Sequence, residues 1–538
     1  MRIVIVGGGS AGWMTASYLQ TVFGDLHEIT QIESGDIPTI GVGEATFSTL
    51  KLFFDRLGLH EPEWMPPCNG TYKLAVRFVN WTDRPGHFYH PFQRFEMADG
   101  FNAGEWWLKL LRNDMPFDAA CFTIAEMCEN NKSPRFLDGT VFDDKVTDYF
   151  GDGKPLNTEI AQHTVQYPYG YHFDAALLAR YLKTLAIKRG VRQITDDVAD
   201  VKLREDGSIA YLVTKDHGNI DADLYIDCTG FRGLLINQAL KEPFISFSDN
   251  LPNDRAVAIQ VPTDAANEGI APYTMASALS AGWAWTIPLY NRNGCGYVYA
   301  GKYLDKETAE AELRRFLGPR SDNSHAHHIQ IRVGRCRNSW VKNCIAVGLS
   351  SGFVEPLEST GLFFIQYAIE EIVNHLPAEP SACENERLSY NRAINDSIDG
   401  IREFLIVHYR ASDRTDTQYW RDTKTLKVPD ALEERMNIWK ARLPAPRNIF
   451  QPYHGFEAYS YACILLGMNC RPEGYHPLLD VRDEAKARAM FRTIRENSAR
   501  LVQSLPSQYE YLKHMRNGAT TSAAVAAPRE LAREHTAV

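Results

Sequence analysis

Val4-Ile5-Val6-Gly7-Gly8-Gly9-Ser10-Ala11-Gly12-Trp13 reads as a buried strand, a glycine turn and the start of a helix. The apolar run has no polar alternation, as expected of a strand covered on both faces. Gly7, Gly9 and Gly12 have the G-x-G-x-x-G spacing: one for the tight turn, one for close approach of a pyrophosphate, one for helix–strand contact. Ser10 and Ala11 open the helix, whose unpaired amides would face the phosphates. Outward from this stretch the order is strand Arg2–Val6, helix Ala11–Phe23 and strand Glu28–Glu33. Glu33 closes the second strand, where an acidic side chain can hydrogen-bond a ribose hydroxyl. The unit predicts dinucleotide binding in an α/β fold.

Three later segments narrow the dinucleotide. Gly41-Val42-Gly43-Glu44-Ala45-Thr46 offers backbone, at Gly43 and Ala45, that a flat ring can approach closely. Asp221–Gly230 is an apolar strand ending in a Thr-Gly turn, with Asp227, Thr229 and Gly230 in a flavoprotein-like arrangement. Asn343–Leu349 is another buried-strand pattern that contains Gly348. A nicotinamide enzyme needs only the first unit, so segments scattered from Gly7 to Gly348 favour FAD.

The bounds are broad. A chain of 538 residues can bury a large core. A net charge of -10, without a dense Lys/Arg run, argues against nucleic-acid partners. The ten cysteines form no C-x-x-C pair, so reduced thiols and no metal site are expected. No stretch reads as a secretory leader or a membrane span, and a cytoplasmic location is the expectation. After about residue 380 the texture turns helical, with Ala393–Tyr409, then Val428–Leu443 opening near Pro429, then a charged run over 482–512. The division expected is 1–380 for cofactor binding, 381–515 as a mainly helical module over the substrate, and 516–538 as a disordered tail.

Three motifs carry chemistry. Lys73 sits in the mostly apolar Asn69–Phe78 segment, where an isolated lysine would ordinarily reach for the surface. Gly352-Phe353-Val354-Glu355-Pro356-Leu357-Glu358-Ser359-Thr360-Gly361 precedes a helix marked by Leu362, Ile365, Ile369 and Ile372. Either glutamate could serve as a helix-start carboxylate. Trp283-Ala284-Trp285-Thr286-Ile287-Pro288 could be no more than a core strand.

Together, in this order and spacing to about residue 515, these motifs resemble the flavin-dependent tryptophan halogenases, nearer to the 5- and 6-halogenase branch than to the 7-halogenases. The resemblance implies an α/β fold: a large FAD-binding module of flavin-monooxygenase type and a mainly helical C-terminal substrate module. It implies that Lys73 is the catalytic lysine and Glu358 its carboxylate partner. It places halide near Thr360 and Gly361, and makes Trp283 and Trp285 a barrier between flavin and substrate. It suggests substrate contacts from Phe47, Ser48, His90, Phe92, Tyr453, Phe456, Glu457 and Tyr461.

The implied reaction starts from FADH2 delivered by a separate NADH-dependent reductase, since no second nucleotide glycine motif is present. Oxygen gives a flavin hydroperoxide, chloride or bromide gives hypohalous acid, and Lys73 directs it to the benzo ring of free L-tryptophan, at C6 rather than C5. Such enzymes often form homodimers and serve secondary metabolism, including antibiotic biosynthesis. The rivals are a flavin-dependent aromatic monooxygenase, a halogenase of another indole, pyrrole or carrier-bound substrate, and a flavoprotein without turnover.

Overall fold

The computed structural model describes residues 1–35, 43–143, 167–377 and 384–522. Strand Arg2–Val6 is buried after Arg2 and pairs in parallel with Glu28–Glu33 on one side and Leu224–Asp227 on the other. Arg192–Thr195 extends this sheet beyond Glu28–Glu33; Cys344–Ala346 and the antiparallel Trp340–Val341 extend it beyond Leu224–Asp227. The chain leaves Arg2–Val6 in one direction and returns much later on its other side. The carboxyl ends of Arg2–Val6 and Leu224–Asp227 thus form a topological switch point, where α/β sheets bind nucleotides. The first helix spans Ser10–Phe23, one residue earlier than expected.

The second sheet has seven strands in the order Ala326–Gln330, Arg255–Pro262, Arg292–Tyr299, Gly282–Pro288, Tyr273–Leu279, Ala75–Val79 and His87–Pro91. It is antiparallel except between Tyr273–Leu279 and Ala75–Val79. The W-x-W block is one of its inner strands. The Trp285 ring lies on Gly296, where a Cβ would come within 2.0 Å of it, so the neighbouring strand has no room for a side chain there. A third, small sheet joins Glu44–Ala45, Gly170–Phe173 and Thr71–Lys73. Lys73 therefore ends a strand of the small sheet two residues before Ala75 begins a strand of the large one. The junction is pinned by Leu74, whose amide donates to Pro272 (2.7 Å) and whose carbonyl accepts from Phe92 (3.0 Å).

The C-terminal part is helical as expected, with two boundaries corrected. The charged run over 482–512 is two helices, Glu484–Ser504 and Gln508–Ser522, because Pro506 has no amide to continue the first. The second passes residue 515, so the start of the expected tail is helical; residues 523–538 lie outside the described residues, as do Gly41 and Val42. Helix Asp430–Trp439 starts directly after Pro429. The 28-residue helix Glu384–Ala411 is tied to the first sheet by Asn391, which bonds both the amide and the carbonyl of Trp340, at 2.7 and 2.9 Å, and to a separate three-stranded sheet by Asp399, which pairs with Arg335 at 2.9 Å. Among the described residues no helix is long and apolar enough to cross a membrane.

Candidate active site

The three glycines at the switch point differ in what surrounds them. Gly7 has φ +124°, and a Cβ there would lie 2.2 Å from the Cys228 carbonyl oxygen. A Cβ on Gly12 would lie 1.8 Å from the Gly7 carbonyl oxygen. Gly9 has nothing within 4 Å of such a Cβ. The first two thus close the turn against its neighbours, while the third leaves open space at the mouth of helix Ser10–Phe23. That helix has no acidic residue in its first turn and no side-chain cap, which suits a pyrophosphate.

Around this mouth, Glu33 accepts hydrogen bonds from Trp13 Nε1 (3.1 Å), Gln193 (2.6 Å) and Lys183, and so stands beside Gly8. Gly348, at φ +73°, would bring a Cβ within 3.0 Å of Ala11, and Gly43 holds the left-handed region at φ +82°. Ala45 is buried in the small sheet. These residues fit a dinucleotide such as FAD. Asp227 departs from its expected part as a cofactor ligand. Its carboxylate is buried and takes the amides of Thr229, Leu235 and Ile236 and the Thr229 hydroxyl, all at 2.7–2.9 Å. It shapes the turn that meets Gly7 and faces protein.

Lys73 does not reach the surface. It is 0 % exposed. Its Nζ donates to Ser359 Oγ (2.8 Å) and to the Thr46 carbonyl (3.2 Å), and stands 5.0 Å from the centre of the Phe92 ring. Burial lowers the ammonium from its usual range to about 7, with the Glu358 carboxylate opposing part of that fall. Amine and ammonium are then both accessible near neutral pH.

The two glutamates of the 352–361 motif have separate tasks. Glu355 is buried and accepts from Trp283 Nε1 (3.1 Å), Asn253 (2.9 Å) and the Tyr409 hydroxyl, so it anchors the aromatic strand. Glu358 lines a cavity. Its Oε1 accepts from His90 Nδ1 and His408 Nε2, each at 2.9 Å, and Oε2 has no protein hydrogen bond among the described residues. Desolvation alone would raise this carboxyl, but the two imidazoles outweigh it and hold Glu358 well below the ordinary carboxylate range.

His408, which carries no motif in the sequence, is the second imidazole at Glu358. Its Nδ1 lies 2.8 Å from the Phe404 carbonyl, which can only accept, so that nitrogen carries a proton. Its Nε2 faces Glu358, so both ring nitrogens are held and the imidazole is fixed in orientation against the carboxylate.

The chain between Glu358 and the next helix links the two regions. Ser359 has φ +65°, a left-handed conformation uncommon outside glycine, and turns the chain into helix Gly361–His375. Thr360 is the N-cap residue, and its hydroxyl is buried without a hydrogen-bond partner among the described residues. An unsatisfied donor beside a helix N-terminus is chemically suited to a halide.

The cavity above Glu358 has a volume of about 700 Å³. Phe47, Ser48, His90, Phe92, Tyr453, Phe456 and Glu457 all line it. Phe456 stands edge-on to Phe47, with ring centres 5.1 Å apart, and packs on Phe404 at 3.9 Å. Tyr461 does not belong to the wall. It is buried behind, its hydroxyl on His454 Nε2 (2.9 Å) and its ring against Phe404 and Trp439. Trp283 and Trp285 are also buried outside the wall, their ring centres 6.3 Å apart. Arg94 and Tyr459 line the cavity and were not anticipated.

A family model described as tryptophan halogenase matches residues 2–484. The tryptophan 6-halogenase SttH of Streptomyces toxytricini is 51% identical over 518 residues, covering 96% of this chain and 98% of that protein. The 7-chloro-L-tryptophan 6-halogenase KtzR of Kutzneria sp. (strain 744) is also 51% identical, over 96% of this chain and 99% of its own length. Among solved structures, Tar14, a tryptophan C-6 flavin-dependent chlorinase from taromycin biosynthesis, superposes with a TM-score of 0.91 at 51% identity, covering 96% of this chain and 99% of Tar14.

Proposed function

The chain belongs to the flavin-dependent tryptophan halogenases, and from that premise we propose that it chlorinates or brominates free L-tryptophan at C6 of the indole. The observation that carries the reading is the buried Lys73 ammonium beside Glu358, under an aromatic cavity large enough for an indole. The 6-halogenase relatives at 51% identity favour C6 over the other benzo carbons.

Gly7–Gly12, Glu33, Gly43, Ala45 and Gly348 would hold FAD. Bound as FADH2 from a separate flavin reductase, the cofactor supplies two of the four electrons that oxygen takes up, and halide supplies the other two, giving hypohalous acid. Thr360 and Gly361 would hold the halide. Trp283, anchored by Glu355, and Trp285, seated on Gly296, would stand behind the cavity wall as a barrier that keeps the indole from the flavin.

Lys73 Nζ then presents the halogen to one carbon, either by hydrogen bonding hypohalous acid or as a haloamine. Indole is most nucleophilic on its pyrrole ring, so benzo-ring attack requires the cavity to set the angle of approach. Phe47, Phe92 and Phe456 hold the ring. Glu358 Oε2 stabilises the cationic ring and accepts the proton lost from the halogenated carbon. His90 and His408 keep that carboxylate ionised and fixed.

Two-dimensional NMR of the product formed with FAD, a flavin reductase, NADH, oxygen and chloride is expected to place chlorine on C6. Chlorine on C5 or C7 would overturn the regiochemistry, and a chlorinated pyrrole carbon would mean that the cavity does not orient the indole.

A further inference from the structure

Behind the barrier pair, a continuous line of tryptophan and tyrosine side chains leads to the surface. Trp285 and Trp283 have ring centres 6.3 Å apart, and both are buried. Trp283 Nε1 donates to Glu355 Oε2 at 3.1 Å, and the Tyr409 hydroxyl donates to the same oxygen. Asn253 Nδ2 donates to the Tyr409 hydroxyl at 2.9 Å, and its Oδ1 accepts from the Tyr419 hydroxyl at 3.0 Å. The Tyr419 ring stands edge-on to the half-buried Tyr303, with centres 5.5 Å apart, and the Tyr303 hydroxyl donates to Asp422. The line is assembled from distant segments: strand Gly282–Pro288, helix Glu384–Ala411, helix Gln418–Thr423 and the turn after strand Arg292–Tyr299.

Packing alone does not ask for these residues. Phenylalanine in place of the two buried tyrosines would fill the space without a hydroxyl that must then find a partner. Phe47, Phe92 and Phe456, which bound the substrate slot, are hard to oxidise, whereas tyrosine and tryptophan give up an electron readily. Glu355 also has a vacancy. Its Oε1 is buried without a hydrogen-bond partner among the described residues, and burial raises its carboxyl above the usual range, so it can take a proton.

We propose that Trp285, Trp283, Tyr409, Tyr419 and Tyr303 form an oxidation relay, which carries stray oxidising equivalents from the barrier to the surface, where dissolved reductants such as thiols quench them. This rests on the hypohalous acid reading above, because the oxidants meant are the one-electron radicals formed when hypohalous acid or peroxide breaks down. Such a radical takes an electron from Trp283 and leaves as halide or hydroxide, while the indole N–H proton moves to Glu355. Tyr409 then gives an electron to Trp283; Glu355 returns the indole proton and receives the phenolic one. An electron and a proton next pass from Tyr419 to Tyr409 across the contact between their hydroxyls. Finally Tyr303 gives an electron to Tyr419 and its own proton to Asp422, and the proton on Glu355 returns through Tyr409 to Tyr419. The net change is one radical reduced to an anion, one tyrosyl radical at Tyr303 and one proton on Asp422. The Arg414 guanidinium, 4.8 Å above the Trp420 ring, disfavours positive charge there and keeps the route on the tyrosines.

The test uses light-excited FAD as the one-electron oxidant, so it needs neither halide nor halogenation. FAD-loaded wild type, Y409F and Y303F are illuminated with a nitroso spin trap, and peptide mass spectrometry locates the adducts and the oxidised tryptophans. FAD binding is read separately from the flavin spectrum. The wild type is expected to carry the adduct on Tyr303. Y409F should lose it, with oxidation moving to Trp283 and Trp285. Y303F, whose substituted side chain does not line the cavity, should halogenate at the wild-type rate. It should lose activity sooner than wild type when reductase, NADH, oxygen and chloride turn over without tryptophan.

A Tyr303 adduct that persists in Y409F, or its absence from the wild type, would overturn the relay. Equal inactivation of Y303F and wild type would overturn its protective role. A working relay in a protein that forms no chlorinated tryptophan would count against the halogenation reading alone.

Discussion

Replacing Lys73 by alanine is expected to remove tryptophan halogenation, by at least about a thousandfold, while oxygen continues to oxidise reduced FAD at the wild-type rate. The size follows from what the lysine does: it carries the halogen to one carbon, and without it orientation and delivery are lost together. The separation of the two activities follows from position. Lys73 meets Thr46 and Ser359 in the small sheet and the 352–361 turn, away from the glycine turn at Gly7–Gly12. Halogenated product from K73A, at a rate near wild type, would refute the lysine assignment.

The same variant has a pH signature. Lys73 is protonated in the unfolded chain up to its ordinary value of 10.5, but in the folded protein only up to about 7. Between these values the unfolded chain binds the additional proton, so wild-type stability carries a component that rises with pH. K73A lacks it. The stability of K73A relative to wild type should therefore be greatest below about pH 7 and fall as pH rises toward about 10. Thermal unfolding of both proteins across that range measures it.

Glu358→Gln is expected to lower kcat by about a hundredfold or more, the usual scale for loss of a general base, with L-tryptophan binding nearly unchanged. A glutamine oxygen can still accept from His90 and His408, so the cavity keeps its shape, but it neither carries the anion that balances a cationic ring nor takes its proton. His408→Phe tests the support separately: with one of its two hydrogen bonds gone, Glu358 should regain part of its ordinary proton affinity, and the acid limb of the pH–rate profile should move toward neutral pH. Full activity in E358Q would remove Glu358 from the chemistry.

The parts of this protein that sequence made legible are those in which local pattern and chemistry coincide. The Gly7–Gly12 turn declares itself because each glycine answers a separate steric demand, seen at 2.2 and 1.8 Å from carbonyl oxygens and in the open space at Gly9. The 352–361 motif likewise points to Glu358, although its spacing cannot separate Glu358 from Glu355; the fold does so by turning one toward Trp283 and the other into the cavity.

His408 leaves no such trace. It sits one helical turn after Phe404 in a long amphipathic helix, and it meets Glu358 only because that helix packs across the turn before Gly361–His375. Tyr461 was misplaced for a related reason: Glu457 precedes its helix as the N-cap residue, so nearness in sequence to the rim does not carry Tyr461 there, and its ring turns inward to Phe404 and Trp439. Asp227 resembles a ligand because strand ends often supply one, but the amides of Leu235 and Ile236 reach it first.

The most direct test is mass spectrometry of L-tryptophan incubated with the protein, FAD, an unrelated flavin reductase, NADH, oxygen and chloride. A monochlorinated tryptophan is expected, recognised by the paired isotope peaks of chlorine. Hydroxytryptophan, or unchanged tryptophan with hydrogen peroxide accumulating, would contradict it.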